Sequence, residues 1–259
     1  MGVKSLVIDA KEVAKQVSRY AADAESISVD CIHKAKSLAE YRQTYSSSLF
    51  ADTVLGGLAT ANLRPGFSAA RSIVKRIPLL VAVGQGSIAK DELRRFLELA
   101  LWNVYFSDHP IEWLSFLKQA DGGFSRDQGK PISYAAHREL NWYLSYCQEL
   151  MAEEPSGVAK AALDEIGSVK STLNTGVHAA HLVKGRSAAH RAPYDEVSVK
   201  ELASFNNLQG QVLGCSCIVL AAWNTKKFNR FTAVQRACFD KLIKPVLRRR
   251  IRQGPFGLA

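Results

Sequence analysis

Three of the six histidines lie within STLNTGVHAAHLVKGRSAAH, residues 171–190. His178 and His181 are three positions apart, which places both on one face if the segment is helical, and a loop can return His190 towards them. That is the start of a metal site. No cysteine stands nearby, however, and Asp195 and Glu196 are the only local carboxylates, so no bound metal is expected. A second chemistry is proton transfer on a phosphate ester. An imidazole titrates near neutral pH, and an adjacent cation or amide can hold the phosphate and its developing charge. Ser171, Asn174 and His178 follow at helical spacing and Arg186 lies just beyond, so Asn174, His178 and Arg186 form a feasible catalytic set. In a third account Asn174 and His178 satisfy each other at a helix end and His190 is solvated. The sequence leaves these open.

Other reactive residue types have plainer explanations. In SDHPIEW, Asp108 suits a helix cap, while His109 and Glu112 suit a first turn, where the helix dipole favours the acid. Arg94 and Glu98 have the i, i+4 spacing of a solvated ion pair, and Trp102 and Tyr105 suit packing. GQGS at 84–87 lacks the rest of a phosphate-binding loop, and no nucleophile elbow is present, so no cofactor is expected. The five cysteines, at 31, 147, 215, 217 and 238, form no CxxC pair and have apolar neighbours, as reduced buried thiols do.

Charge is the strongest signal. The net charge is +10, and it is concentrated at one end. From position 226 onward the bases are Lys226, Lys227, Arg230, Arg236, Lys241, Lys244, Arg248, Arg249, Arg250 and Arg252, against the single acid Asp240, which leaves the body close to neutral. Such a cluster, with Phe228 and Phe231 among it, suits RNA or DNA phosphates with occasional base stacking. An acidic protein partner would use the same charges, and cations are also favoured at a helix C-terminus without any partner.

These residues need elements to position them. Apolar spacing is helical almost throughout, no run alternates as a hairpin would, and 47% apolar residues can fill a core. The expected fold is an all-α, elongated bundle of about eight helices. Residues 1–225 form a helical bundle domain, and 226–259 form a basic C-terminal helix and tail within it. Expected helices cover 9–24 and 28–62. LRPG at 63–66 then breaks the pattern, and Pro78 kinks the next helix or marks its start. A helix after GQGS stops near Ser107. Asp108 caps its successor, with Pro110 in the first turn and Gly122 and Gly123 after its end. A polar loop at 122–131 precedes helices at 132–152 and 156–181. Ser198 with Glu201 forms a capping box that opens a helix to Trp223, and a last helix covers 231–250. The apolar run at 212–223 is about eight residues short of a membrane span and reads as a buried helix. The start MGVKSLVIDAKEVAKQ lacks the apolar core of a signal peptide, so a cytoplasmic protein without a membrane partner is expected.

The order of elements carries a resemblance. An LRPGFSAARSIVKR helix, a DELRRFLELALWNVYFSDHPIEW pair, then STLNTGVHAAH with a loop and a further helix resemble HEPN and abortive-infection-type proteins over residues 55–225. The resemblance implies a compact all-α domain from a prokaryotic antiphage or toxin–antitoxin locus, a group in which many members are metal-independent ribonucleases. Asn174 and His178 look like the polar end of that group's catalytic helix. The characteristic arginine followed after four to six residues by histidine is absent, since only three residues separate Arg186 from His190. The implied function is a nucleic-acid-associated subunit or effector. If it is catalytic, His178 moves the proton while Asn174 and Arg186 hold the scissile phosphate. A non-enzymatic interaction subunit and a small-ligand sensor are the alternatives.

Overall fold

Capping and helix-breaking residues set most of the element boundaries in the computed structural model, which describes residues 35–114, 140–174 and 198–257, with positions 18 and 22 in isolation. The protein is all-α, and the described residues contain no strand. Helix α1 (Ala35–Leu58) is followed by α2 (Arg64–Ala82), α3 (Gly86–Asp108), α4 (Leu140–Leu150), a single 3-10 turn (Met151–Glu153) and α5 (Val158–Asn174). Then come α6 (Val199–Trp223), the one-turn α7 (Thr225–Phe228), α8 (Ala233–Leu242) and α9 (Pro245–Gln253). The polar loop expected at 122–131 and the helix expected at 9–24 lie outside the described residues, apart from positions 18 and 22 of the latter.

Proline acts differently at three of its helical positions. Pro65 sits in the first turn of α2, where its missing N–H leaves no bond unmade, so LRPG opens this helix, whereas the one before, expected to reach residue 62, already ends at Leu58. Pro78 neither starts nor ends α2, so of its two expected roles, kink or start, the start is excluded. It is buried inside the helix, whose Ile73, Val74, Ile77 and Val81 pack in the core, and that packing offsets the lost hydrogen bond. Pro245 ends a pattern: the single helix expected at 231–250 is two. A residue before proline is pushed out of the helical region, and Ile243 and Lys244 are extended, with ψ of 150° and 142°.

Helix α6 is the centre of the bundle, packed by α1, α3 and α5. Its start is the expected capping box: the Ser198 hydroxyl accepts from Glu201 N at 3.2 Å, and Glu201 Oε2 accepts from Ser198 N at 3.0 Å. It ends at Trp223, and every residue from Val212 to Ala222 is buried. A short polar seam fixes its register against α1. Thr44 Oγ1 donates to Asn206 Oδ1 at 2.5 Å, Asn206 Nδ2 donates to Glu40 O at 2.9 Å, and Gln209 Nε2 donates to Ser48 Oγ at 2.8 Å. In a buried setting such bonds are costly to lose, so sliding one helix along the other is disfavoured.

One close approach joins the centre to the C-terminal helices. At Gly214 a Cβ would come within 2.8 Å of the backbone oxygen of Leu242, so a glycine lets α6 pass the end of α8.

Candidate nucleic-acid interface

The basic end is built from α7, α8 and α9. Helix α8 opens with a second capping box, in which Thr232 Oγ1 accepts from Gln235 N at 3.3 Å and Gln235 Oε1 accepts from Thr232 N at 2.9 Å. Past the break at Pro245 comes α9, whose Arg252 donates to Asp240 Oδ2 of α8. Lys244, at the turn, donates to Glu165 of α5. The interior of this end is aromatic: the Phe228 ring lies 5.1, 4.9 and 5.2 Å from those of Phe231, Phe239 and Phe256.

A buried acid fastens the end of the described chain. Glu154 accepts from Val158 N at 3.0 Å and Ala159 N at 3.3 Å, capping α5, and from Gly257 N at 3.1 Å. Ser156 adds its hydroxyl at 2.6 Å. Burial alone would push this carboxyl up. The bonds from Ser156, Gly257 and Ala159 outweigh it and hold the carboxyl below its usual range. Gly257 has φ +97°, and a Cβ there would collide with Thr225 Oγ1 at 2.1 Å, so only glycine fits the docked turn.

Nine of the ten cations of this end fall into two groups. Lys244 and Arg252 are paired with acids, and Arg248 Nη2 donates to Ile243 O at 3.3 Å. The side chains of Lys226, Lys227, Arg230, Lys241, Arg249 and Arg250 form no ion pair or hydrogen bond among the described residues, and all but the half-buried Lys227 are exposed. On α9 the alternation is plain: Leu247 is buried, Arg248 and Ile251 are half-buried, and Arg249 and Arg250 face outward. Lys241 lies over the Phe50 ring at 5.4 Å. Arg236 belongs to neither group. Its guanidinium lies 4.0 Å from the Phe228 ring centroid, and burial lowers its pKa, partly opposed by Asp240.

The expected base stacking on Phe228 and Phe231 is corrected here. These rings are only 4% and 9% exposed, sealed by Phe239 and Phe256, so incoming bases cannot reach them. What the surface offers a polyanion is charge.

The histidine-rich stretch is described only at its start. Asn174 is the last residue of α5 and Ser171 is exposed, whereas His178, His181, Arg186 and His190 lie outside the described residues. The expected cap at Asp108 is also corrected: helix resumes at Pro110, Trp113 N donates to His109 O, and Asp108 Oδ2 accepts from Tyr146 OH at 2.8 Å. His109 stacks on Tyr105 with centroids 4.0 Å apart, and Tyr105 OH donates to Glu112 at 2.9 Å. Burial, and then the bond to Asp108, push the Tyr146 hydroxyl above its usual range. This aromatic cluster, completed by Trp102, Trp142 and Tyr143, was visible in the sequence only as a high density of rings in two helices. Arg94 and Glu98 pair as expected, at 3.2 Å.

Cys147, Cys215 and Cys217 are buried free thiols, and burial pushes the first two up to about 12. Among the described residues no group of His, Cys, Asp or Glu is arranged to hold a metal ion, and no helix is long and apolar enough to cross a membrane. No family model, curated protein or solved structure matches the chain.

Proposed function

We propose that this all-α protein is a nucleic-acid-associated subunit or effector that binds RNA or DNA through the cations of α7, α8 and α9. One observation carries the reading: six cations, from Lys226 to Arg250, have no acid partner among the described residues while the rest of the chain is nearly neutral. Cations gathered without acids repel one another, and a polyanion removes that repulsion while releasing its own condensed counterions. Because Phe228 and Phe231 are buried, recognition rests on phosphates and carries little base preference. The HEPN-type resemblance supplies the setting, an antiphage or toxin–antitoxin system.

The test is binding of labelled RNA and DNA across a salt series. Deleting the C-terminal helices would also remove Phe239, Phe256 and the Gly257 tether, so the informative variant replaces Lys226, Arg230, Lys241, Arg249 and Arg250 with Gln. With six contacts the wild type should show a log–log salt slope of about −4 to −5, by the counterion-release rule of roughly 0.7 to 0.9 per phosphate contact. The variant should lose most of it. An unchanged slope rejects the surface, and absence of nucleic-acid binding directs attention to an acidic protein partner. The same reading gives His178 the proton transfer in RNA cleavage, with Asn174 and Arg186 on the scissile phosphate. EDTA-resistant cleavage lost in a folded His178→Ala variant supports that role, and retained cleavage rejects it.

A further inference from the structure

Between α7, α8 and α9 lies a cleft of about 460 Å³, within the range of small-molecule sites. Phe228, Phe239, Phe256 and Ile251 give it apolar walls, and Asn229, Arg236, Asp240 and Arg252 give it polar ones. Asp240 stands four residues after Arg236, the spacing of a helical ion pair, yet its Oδ2 accepts from Arg252 across the cleft. Arg236 therefore has no hydrogen bond or ion pair among the described residues, although the residue is half-buried and its guanidinium lies against the Phe228 ring. The two arginines and one acid leave the lining with one positive charge in excess. A guanidinium that no acid of the chain engages is open to a ligand, and a planar anion meets its fork in a bidentate way that water does not.

We infer that this cleft is a binding site for a small aromatic anion, a carboxylate or phosphate monoester carried on a flat ring, with the anion on Arg236 and the ring against the half-buried Phe256 and Ile251. Arg236 is not one of the six surface cations, so the site is independent of the nucleic-acid reading. A mononucleotide and an aromatic carboxylic acid share this chemistry, and the probes separate them.

The experiment is calorimetric titration of the full chain with AMP, benzoate, adenosine and inorganic phosphate. It is repeated on Arg236→Lys and on a variant with Lys226, Arg249 and Arg250 changed to Gln. AMP, benzoate or both should bind in the millimolar range or tighter. Adenosine and phosphate, each carrying half of the recognition, should bind at least about tenfold more weakly. Arg236→Lys keeps the charge and loses the fork, and should weaken binding by about tenfold or more at unchanged thermal stability, whereas the surface variant should bind as the wild type does. Should Arg236→Lys fold poorly, Gly254→Leu replaces it. Gly254 lines the cleft in extended backbone, and a Cβ there meets nothing within 4 Å, so the substitution fills space without displacing protein. The inference is overturned if neither AMP nor benzoate binds, if adenosine matches AMP where AMP is the anion bound, if Arg236→Lys (or Gly254→Leu in its place) binds like wild type, or if the surface variant abolishes binding.

Discussion

Two neighbouring parts of this chain solve opposite problems. The second half of α6, residues 212–222, carries no charge, is buried at every position, and keeps its thiols protonated. A few residues later, α7 to α9 carry ten cations and one acid, and most of those cations face outward. The first part is held by continuous packing on several helices. The second is held by separate fasteners: a phenylalanine cluster, the Arg252–Asp240 and Lys244–Glu165 pairs, and the Gly257–Glu154 bond. Stability is therefore concentrated in one part and available charge in the other, and substitutions should sort accordingly.

The largest loss should come from the core. Leu213 is fully buried at the centre of α6, and Leu213→Ala removes its contacts and leaves a cavity, at a cost of about 2–5 kcal/mol in denaturant unfolding. Cys215 and Cys217 offer an independent readout. Their buried thiols should resist labelling in the native protein and react in step with global unfolding. Rapid labelling of both in the wild type would contradict the closed packing of α6. The next loss should come at the join. In Gly214→Ala the new methyl meets the Leu242 backbone oxygen, which no rotamer change can relieve, so α8 must shift at a cost of about 1–3 kcal/mol. A neutral result would mean that the two parts are not seated on each other at this point.

The centre of the molecule was far more legible in the sequence than its basic end. Ser198, Glu201 and the apolar run to Trp223 act through neighbours within a turn or two, so local rules located α6 and its buried thiols. At the basic end the deciding partners are distant. Phe228 and Phe231 stand beside cations and read as surface residues, but Phe239 and Phe256 arrive from later elements and bury them. Glu154 falls in the short gap between the helices expected at 132–152 and 156–181, and its partner Gly257, 103 positions away, is beyond the reach of local rules. The division of 231–250 was visible in principle, because Pro245 restricts Lys244, but the helical spacing of the basic residues masked it. Of the catalytic set, Asn174 lies at the end of α5, while His178 and Arg186 fall outside the described residues, so that site is legible only as spacing.

A smaller and pH-dependent effect should distinguish the fasteners from the core. Glu154→Gln keeps the shape but weakens several charge-assisted bonds, and should cost about 1–2 kcal/mol near neutral pH. Because the folded carboxyl titrates below its ordinary value of 4.5, its contribution is complete above that value and fades as pH falls through the lower folded one. Wild type and variant should therefore converge in stability under acid conditions. A difference that stays constant from neutral to acid would show that the ionised carboxylate is not what fastens Gly257 and α5.

The smallest stability effect should accompany a large binding effect, and it divides the basic end itself. Arg249 and Arg250 are exposed and unpaired among the described residues, so changing both to Ala should move unfolding free energy by no more than about 0.5 kcal/mol. If each contacts a phosphate, the same change should reduce the salt slope of nucleic-acid binding by about 1.4 to 1.8. Lys244 gives the opposite pattern. Its ammonium is committed to Glu165 and half exposed, so Lys244→Ala should cost about 0–1 kcal/mol of stability and leave the slope nearly unchanged. Equal slopes for the two variants would mean that pairing in the free protein does not decide which cations reach the ligand. Unequal slopes in the expected order would show that the acids of the bundle choose the binding surface by neutralising the cations outside it.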